Sequence, residues 1–477
     1  MVSRNEMQHA VRWTVIGGGV RAAIQLTQYL VLVRLLDAED FGLMAVVVPY
    51  ITAAAVTADL GLGSALIRGW PATSDERSSL YWFSLLQASL VGLIVAGAAP
   101  LLARWYGEPR LSGLMWICAP SFLFLQAGRQ LEVVAERSLS FRVVASTEAA
   151  ATLVGACLAI GLAARGAGAL ALAVPVAVVP ALRSLLAWMI LADGWRPAWR
   201  LRFSEVSRFL SFGWQLALSV IASNLCRNLD LLTGGWLLTT KELGTYSVPR
   251  GLVQGVVGGL SPMITRVTIP TLSATLHDPS RVARVHRSGR ALVTYASTPV
   301  LLGAAMFSTP AAGFLFGPEW QGTGSLLALF CITGWAQLIA TVEQSAVAGA
   351  GRPSVIASWN SMAVVGLSVP FLAAAGFGAL PLAATGTAMS LVMLVVAWRV
   401  FVRHRFAGGF AGYSAELLAP VAMLAVGWLS SYLLSLAIPQ VSAGPRFLLT
   451  TILYAILCYR FAPAVIAQLR GLVLPRA

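Results

Sequence analysis

The chain has 477 residues and is poor in charge: only 11% of its residues are Asp, Glu, Lys or Arg, while 58% are hydrophobic. A soluble domain carries roughly 25% charged residues, so no water-facing surface is available for a core of this size. Lysine is almost missing; Lys241 is the only one. The five cysteines, Cys118, Cys157, Cys226, Cys331 and Cys458, form no CxxC pair and all lie in apolar runs. That excludes zinc-ligand spacing and gives a disulfide framework no basis. The four histidines, His9, His277, His286 and His404, are expected in polar loops. No HExxH, GxSxG or P-loop motif occurs, so an enzyme site has almost nothing to be built from. No metal site and no cofactor are expected, and the chain does not read as an enzyme.

What the chain does have is long apolar runs, at a mean hydropathy of +0.78. A membrane-crossing helix needs about 20 such residues, and they recur along the whole length. The expected fold is all-α and integral to a membrane, with about 14 transmembrane helices. The first six spans are Val11–Leu36, Phe41–Ile67, Leu80–Ala103, Gly113–Val134, Ala145–Ala163 and Gly166–Leu191. Spans seven to twelve are Phe212–Leu238, Leu243–Leu272, Ala291–Phe316, Leu326–Gly349, Val355–Ala375 and Leu380–Phe401. Leu417–Leu436 and Phe447–Leu469 follow. The polar lead before the first span has no small-residue cleavage site, so that span reads as a retained helix.

The net charge of +14, from 33 Lys and Arg against 19 Asp and Glu, is spread over the connections, with no basic domain to hold nucleic acid. It reads instead as topology. With both termini in the cytoplasm, nineteen basic residues fall in cytoplasmic segments and six outside; cytoplasmic loops are where basic residues collect. The longest polar connections, Ala192–Arg208 and Ser273–Arg290, are then cytoplasmic.

The sequence also repeats. Leu35-Leu36-Asp37-Ala38-Glu39-Asp40-Phe41-Gly42 matches Leu237-Leu238-Thr239-Thr240-Lys241-Glu242-Leu243-Gly244 at an offset of 202 residues. Pro100 to Tyr106-Gly107-Glu108 resembles Pro310 to Phe316-Gly317-Pro318 at an offset of 210. Two six-helix halves of the same sense follow, related by an axis along the membrane normal. The expected division is residues 1–200, 201–405 and a trailing pair of helices in 406–477.

Ionisable residues inside a bilayer are costly and are functional by default. Arg21, Gln25 and Gln28 share one face of the first span, because their spacings are one helical turn. Asn224, Arg227 and Asp230 occupy the seventh span, and at the repeat offset Gln25 corresponds to Arg227 and Gln28 to Asp230. Arg250 and Gln254 lie one turn apart on the eighth. These eight are the candidate substrate-binding residues of a central cavity between the halves. Asp59 and Glu343 are candidates for ion coupling. Arg129, Arg266, Arg399 and Arg460 lie near cytoplasmic ends and are expected to snorkel. An arginine-lined cavity favours an anionic cargo, since the guanidinium fork fits phosphate.

Several stretches resemble one family. They include Arg34-Leu35-Leu36, Asp59-Leu60-Gly61-Leu62-Gly63-Ser64, Glu136-Arg137-Ser138-Leu139-Ser140-Phe141-Arg142, Arg227-Asn228-Leu229-Asp230, Phe316-Gly317-Pro318-Glu319-Trp320 and Ala348-Gly349-Ala350-Gly351-Arg352-Pro353. The chain resembles the bacterial polysaccharide-export flippases of the multidrug/oligosaccharidyl-lipid/polysaccharide superfamily, in its colanic-acid-exporter-like (Wzx-type) group. The resemblance implies two six-helix lobes around a central cavity with two trailing helices. It implies that an undecaprenyl-diphosphate-linked oligosaccharide is moved across the bacterial inner membrane for exopolysaccharide or O-antigen synthesis, by alternating access. Membrane lipids, a polysaccharide polymerase and glycosyltransferases would be its neighbours, and the chain would act as a monomer. A multidrug (MATE-like) cation antiporter of the same superfamily needs cavity carboxylates, and the first span has none between Thr14 and Leu36. A membrane polymerase or glycosyltransferase generally needs a large outer loop or an acidic metal motif, and neither is present.

The topology is testable. Single cysteines placed at Gly107 and Gly322 are expected to react with an impermeant maleimide from outside the cell, and cysteines at Thr73 and Pro279 only after the membrane is opened. Labelling at Pro279 from outside contradicts the arrangement.

Overall fold

A computed structural model describes residues 4–59, 73–138, 140–273, 275, 277–351, 353–402, 410–438, 442–463 and 465. Arg68, Arg352, Arg403, Arg405, Arg470 and Arg476, which the topology uses, lie outside the described residues, as do the side chains of Arg4, Arg12 and Arg208; His404 and the side chain of His9 lie outside them too. Every regular element among the described residues is helical. Eleven helices are long and apolar enough to cross a membrane, or twelve if one bent pair is a single span. The chain is a multi-pass membrane protein.

Among the described residues the count of fourteen is not confirmed. The expected seventh span lies on helix Phe203–Leu237, part of whose side chains are outside the described set, and the fourteenth on Ala443–Phe461. Neither belongs to the eleven.

Where the helices begin follows local chemistry. Thr73 caps the third span, Ser74–Trp105, in a reciprocal box with Glu76: the Thr73 hydroxyl accepts from the Glu76 amide, and the Glu76 carboxylate accepts from the Thr73 amide. Two orphan amides are thereby satisfied. Asp278 does the same for the helix Pro279–Ser297, accepting from the Ser280 and Arg281 amides. The Ser280 hydroxyl, followed by the Arg281 amide, holds the Asp278 carboxyl below the usual carboxylate range. With Pro279 in the first turn, this cap starts the ninth span about three turns earlier than hydropathy suggests. The expected loop Ser273–Arg290 is therefore largely helix. His286, expected in a loop, is a helical residue and only 2% exposed.

The chain separates into two compact units. The first is Met1–Val248 with Ala357–Ala379, and the second is Pro249–Ile356 with Leu380–Ala477. In the first unit the first span packs on the fifth, the fourth and fifth on the sixth, and the second on the seventh. Asn360 of the eleventh span donates to the Ser223 hydroxyl of the seventh at 2.6 Å. The Ala192–Arg202 connection is clamped to the third span: Arg200 bridges Asp75 and Glu205, and the Ser79 hydroxyl donates to Glu205 at 2.6 Å. That hydroxyl is the main reason the Glu205 carboxyl sits below its usual range.

In the second unit the thirteenth and fourteenth spans pair, and the ninth packs on the tenth. A polar seam joins the eighth and tenth spans, with Gln254 on Gln337 at 2.9 Å, Ser261 on Thr341 at 3.4 Å and Thr265 on Ser345 at 3.1 Å. Both sequences ascend along the seam, so the two helices run the same way, as an even-numbered pair must.

The repeat has a structural expression. Gly42 and Gly244 occupy equivalent positions, and each helix start lies against the other. A Cβ on Gly42 would stand 1.8 Å from the Thr240 carbonyl oxygen, and one on Gly244 would stand 1.6 Å from that of Ala38. Ala38 and Thr240 are themselves 202 residues apart, so the repeated motif packs against its own second copy. Gly107 and Gly317 are also equivalent and both take positive φ, 68° and 122°, which favours glycine. The spans before them differ. The third is continuous through Pro100, whereas the ninth opens into a π turn at Thr298–Leu302, and its parts before and after Phe307 meet at 88°.

Gly42→Ala and Gly244→Ala are each expected to push the second and eighth helices apart, at a cost of about 1–3 kcal/mol. Thermal unfolding in detergent should fall for both. Gly97→Ala, whose Cβ would meet nothing within 4 Å, should leave it unchanged or raise it.

Candidate functional site

An arginine or aspartate at a membrane helix centre costs about 2.5–3.5 kcal/mol on insertion scales. The chain meets this cost by pairing charges across helices. In the first unit six ionisable side chains form an alternating ladder. Arg21 of the first span meets Glu148 of the fifth at 3.2 Å. Arg183 of the sixth meets the other oxygen of Glu148 at 2.6 Å and grips Glu132 of the fourth with Nε and Nη2. Arg129 then stands 3.6 Å from Glu132 and 3.5 Å from Glu136. Three arginines face three glutamates, so the ladder is neutral. Glu132 is 3% exposed at its centre, and Arg21 is 42% exposed at its end.

Arg21 is the most exposed member of the ladder. Gly17, one turn earlier, seats the first span on Ala145 of the fifth. This close approach brings Arg21 within reach of Glu148. On the face of the first span that carries Arg21, Gln25 is exposed and Gln28 half-buried.

The second unit holds a different network. Glu343 of the tenth span is fully buried, with His286 Nε2 at 2.7 Å from one oxygen and Arg290 Nη1 at 3.3 Å from the other. Arg290 also binds Glu416 of the thirteenth span, and its guanidinium lies 4.6 Å from the Tyr413 ring centroid. Arg287, 61% exposed, reaches Glu416 at 3.1 Å.

The remaining candidates fall as follows. Asn224 is turned into its own helix, donating to the Val220 carbonyl at 2.9 Å. Asp230 accepts from the Tyr246 hydroxyl at 2.8 Å. Arg227 is exposed on the seventh span. Arg250 is 9% exposed in the second unit, and Gln254 belongs to the polar seam. Asp59 is half-buried at the end of the second helix. Arg21, Gln25 and Gln28 share the first unit with Asn224, Arg227 and Asp230, while Arg250, Gln254 and Glu343 belong to the second. Arg129, expected to snorkel alone, is tied to two glutamates.

Sequence reasoning missed Glu132, Glu148, His286, Arg290 and Glu416 as members of these networks. A signal for two of them existed. Gln126 and Glu132 recur as Gln337 and Glu343 at an offset of 211, close to the second repeat echo. Both glutamates are buried on an arginine, but the arginines come from non-equivalent helices, the sixth and the ninth.

Comparison with known proteins now adds its own evidence. Residues 31–324 match the family described as polysaccharide biosynthesis protein. The teichuronic acid biosynthesis protein TuaB of Bacillus subtilis (strain 168) is 23% identical over 96% of this chain and 95% of its own length. The lipopolysaccharide biosynthesis protein WzxC of Escherichia coli (strain K12) is 22% identical over 88% of this chain and 86% of its own. Among solved structures, the lipid II flippase MurJ in an inward closed conformation superposes with a TM-score of 0.76 at 11% identity, covering 96% of this chain and 100% of that one. An inward-facing multidrug-resistance MATE family transporter, of the MOP superfamily, superposes at 0.60 with 15% identity, covering 81% of this chain and 94% of that one. These two likenesses show the fold.

Breaking the ladder at its centre should be worse than breaking it at its end. Glu132→Ala leaves Arg183 and Arg129 without their shared partner, a change worth about 3–5 kcal/mol for a buried pair. Its abundance in the membrane should collapse, whereas Arg21→Ala should insert at near-normal levels; quantitative blotting of membrane fractions distinguishes the two.

Proposed function

Because this chain belongs to the polysaccharide biosynthesis protein family, we propose that it is a flippase for polyprenyl-diphosphate-linked oligosaccharides. In this reading it works in the bacterial inner membrane with both termini in the cytoplasm, feeding exopolysaccharide or O-antigen assembly. The names of the relatives support the substrate class: TuaB is a teichuronic acid biosynthesis protein, WzxC a lipopolysaccharide biosynthesis protein, and the solved MurJ a lipid II flippase.

The observation that carries the reading is Arg21. A guanidinium 42% exposed on a membrane-crossing helix is too costly to face lipid, so its open side borders a polar path. Gln25 and Gln28 continue that face with uncharged donors and acceptors suited to sugar hydroxyls. The diphosphate would meet Arg21, with Arg227 and Arg250 as the further cations. Asn224, Asp230 and Gln254 would contact the glycan, and the polyprenyl tail would remain in lipid. The two six-helix halves, 1–200 and 201–405, would alternate between inward-open and outward-open states, with 406–477 as the trailing pair.

Glu148 gives Arg21 a resting partner that keeps its charge paired when no substrate is present. A diphosphate carries more charge than one carboxylate and offers several acceptor oxygens, so it can take over one arm of the guanidinium. In a low-dielectric surrounding that attraction is far less screened than in water. A cation antiporter is the less favoured reading, because the carboxylates of the ladder, Glu132, Glu136 and Glu148, are each engaged by arginine.

In a deletion strain complemented with variants, Arg21→Ala and Arg250→Ala should each strongly reduce export at normal abundance. Losing one charge-assisted contact costs about 1.5–3 kcal/mol, roughly ten- to a hundredfold in affinity. Arg21→Lys should rescue in part, since it keeps the charge and loses the fork. Arg399→Ala serves as the control and should export normally. Normal export by both alanine variants would overturn the cationic path.

A further inference from the structure

We propose that residues 192–203, which join the sixth span to the seventh, form a lipid-binding strap. Trp199 and Phe203 sit among phospholipid headgroups, and Arg196 and Arg202 lie on lipid phosphates. The inference rests on where the strap lies along the third span and is independent of what is transported.

The third span serves as a ruler. Leu86, Leu90, Leu93 and Leu101 are all exposed and follow one another at helical spacing, so they form one lipid-facing stripe. Trp82 stands one turn before this stripe and Trp105 one turn after it. The helix is continuous from Ser74 to Trp105. The two indoles are 23 residues apart, about 34 Å at the rise of an α-helix. The hydrocarbon core of a bilayer is about 30 Å thick. Trp82 and Trp105 therefore fall just outside its two edges, at the headgroup levels where tryptophan collects.

The strap is fastened at the level of Trp82. The Trp82 indole donates to the Ala198 carbonyl at 2.8 Å. The Ala198 and Arg202 amides donate to the Ser78 and Ser79 hydroxyls at 3.1 and 3.2 Å. Trp199 stacks on Trp82 with ring centroids 4.2 Å apart, and Phe203 lies edge-on to Phe83 at 6.3 Å. Inside them, Trp195 packs against Trp188 of the sixth span and Tyr81 of the third, with the Arg77 guanidinium 4.4 Å from its centroid. Hydropathy makes this stretch a polar connection in water; the fastening to Trp82 puts it at the membrane edge instead. There Trp199, 89% exposed, and the exposed Leu201 and Phe203 continue the lipid-facing stripe. An indole has a flat apolar body and one polar N–H, which suits the headgroup layer better than water or hydrocarbon.

Charge selects the occupant. Arg200 is turned onto Asp75 and Glu205, and Glu76 is used by the Thr73 cap. Arg196 and Arg202 flank Trp199, are exposed, and form no ion pair among the described residues. Asp193 is the one acid of residues 192–202 and is also exposed. The outer row thus sets two cations against one anion beside an aromatic wedge. A leaflet offers phosphate to such cations and acyl chains to the apolar row at the same depth. The long arginine stems let the charges reach out to the phosphates while the rings stay below. In the expected topology this is the cytoplasmic leaflet.

The test uses the full-length chain in nanodiscs of mixed phosphatidylcholine and phosphatidylglycerol, with the photoreactive aromatic benzoylphenylalanine in place of Trp199 or of Phe203. After illumination, mass analysis is expected to find phospholipid joined to each site through its glycerol or its first acyl carbons. The same probe at Leu93, in mid-stripe, should join near the acyl ends. At Ser74, about 12 Å further from the membrane centre than Trp82, it should capture no lipid. Lipid missing at either Trp199 or Phe203 while Leu93 reacts overturns the proposal, as does a cross-link between two copies of the chain as the main product. The phosphatidylglycerol share of the Trp199 adducts should exceed that at Leu93 by at least about twofold. It should fall to parity in Arg196→Gln/Arg202→Gln. Parity already in the normal chain overturns the phosphate contacts.

Discussion

Everything else in this molecule depends on one constraint: a charge inside the membrane must find an opposite charge, and the pairs that tie this fold together join different helices. The first, fourth, fifth and sixth spans are bound into one charge-neutral ladder by Arg21, Glu148, Arg183, Glu132, Arg129 and Glu136. The ninth, tenth and thirteenth are bound by His286, Arg290, Glu343 and Glu416. Apolar packing alone cannot specify which helices meet in lipid, because lipid tails are as apolar as leucine. These pairs can, since a wrong neighbour leaves an ion unpaired.

The two networks differ in a way that bears on function. The ladder is balanced and ends in an arginine that is 42% exposed. The second network is buried, shares one arginine between two carboxylates and carries an imidazole. Both glutamates at the network centres, Glu132 and Glu343, sit at matching positions of the repeat. The fold is shared with MurJ and with a MATE transporter.

The fold was largely legible before any coordinates. Long apolar runs need no partner to be recognised, and the Gly42 and Gly244 motifs marked the repeat because a close backbone approach admits only glycine. The Thr73 box and the Gly107 and Gly317 turns are local signals of the same kind. The networks were much less visible, because a salt bridge between Arg21 and Glu148 leaves no trace in spacing along the chain. His286 was placed in a loop because arginines at 281, 284, 287 and 290 lower the local hydropathy. The Asp278 cap and Pro279 outweigh that and extend the helix. The break at Phe307 was likewise hidden, since the third span carries a proline at the equivalent place and stays straight.

The central claim is that the chain carries a polyprenyl-linked saccharide across the membrane. The most direct measurement is mass analysis of lipid-linked intermediates in a strain lacking the gene, with polymerase and glycosyltransferases intact. The account predicts that complete, unpolymerised repeat units on polyprenyl diphosphate accumulate on the cytoplasmic face and disappear when the normal chain is restored. Unchanged levels of those intermediates, with polysaccharide still reaching the surface, would contradict it.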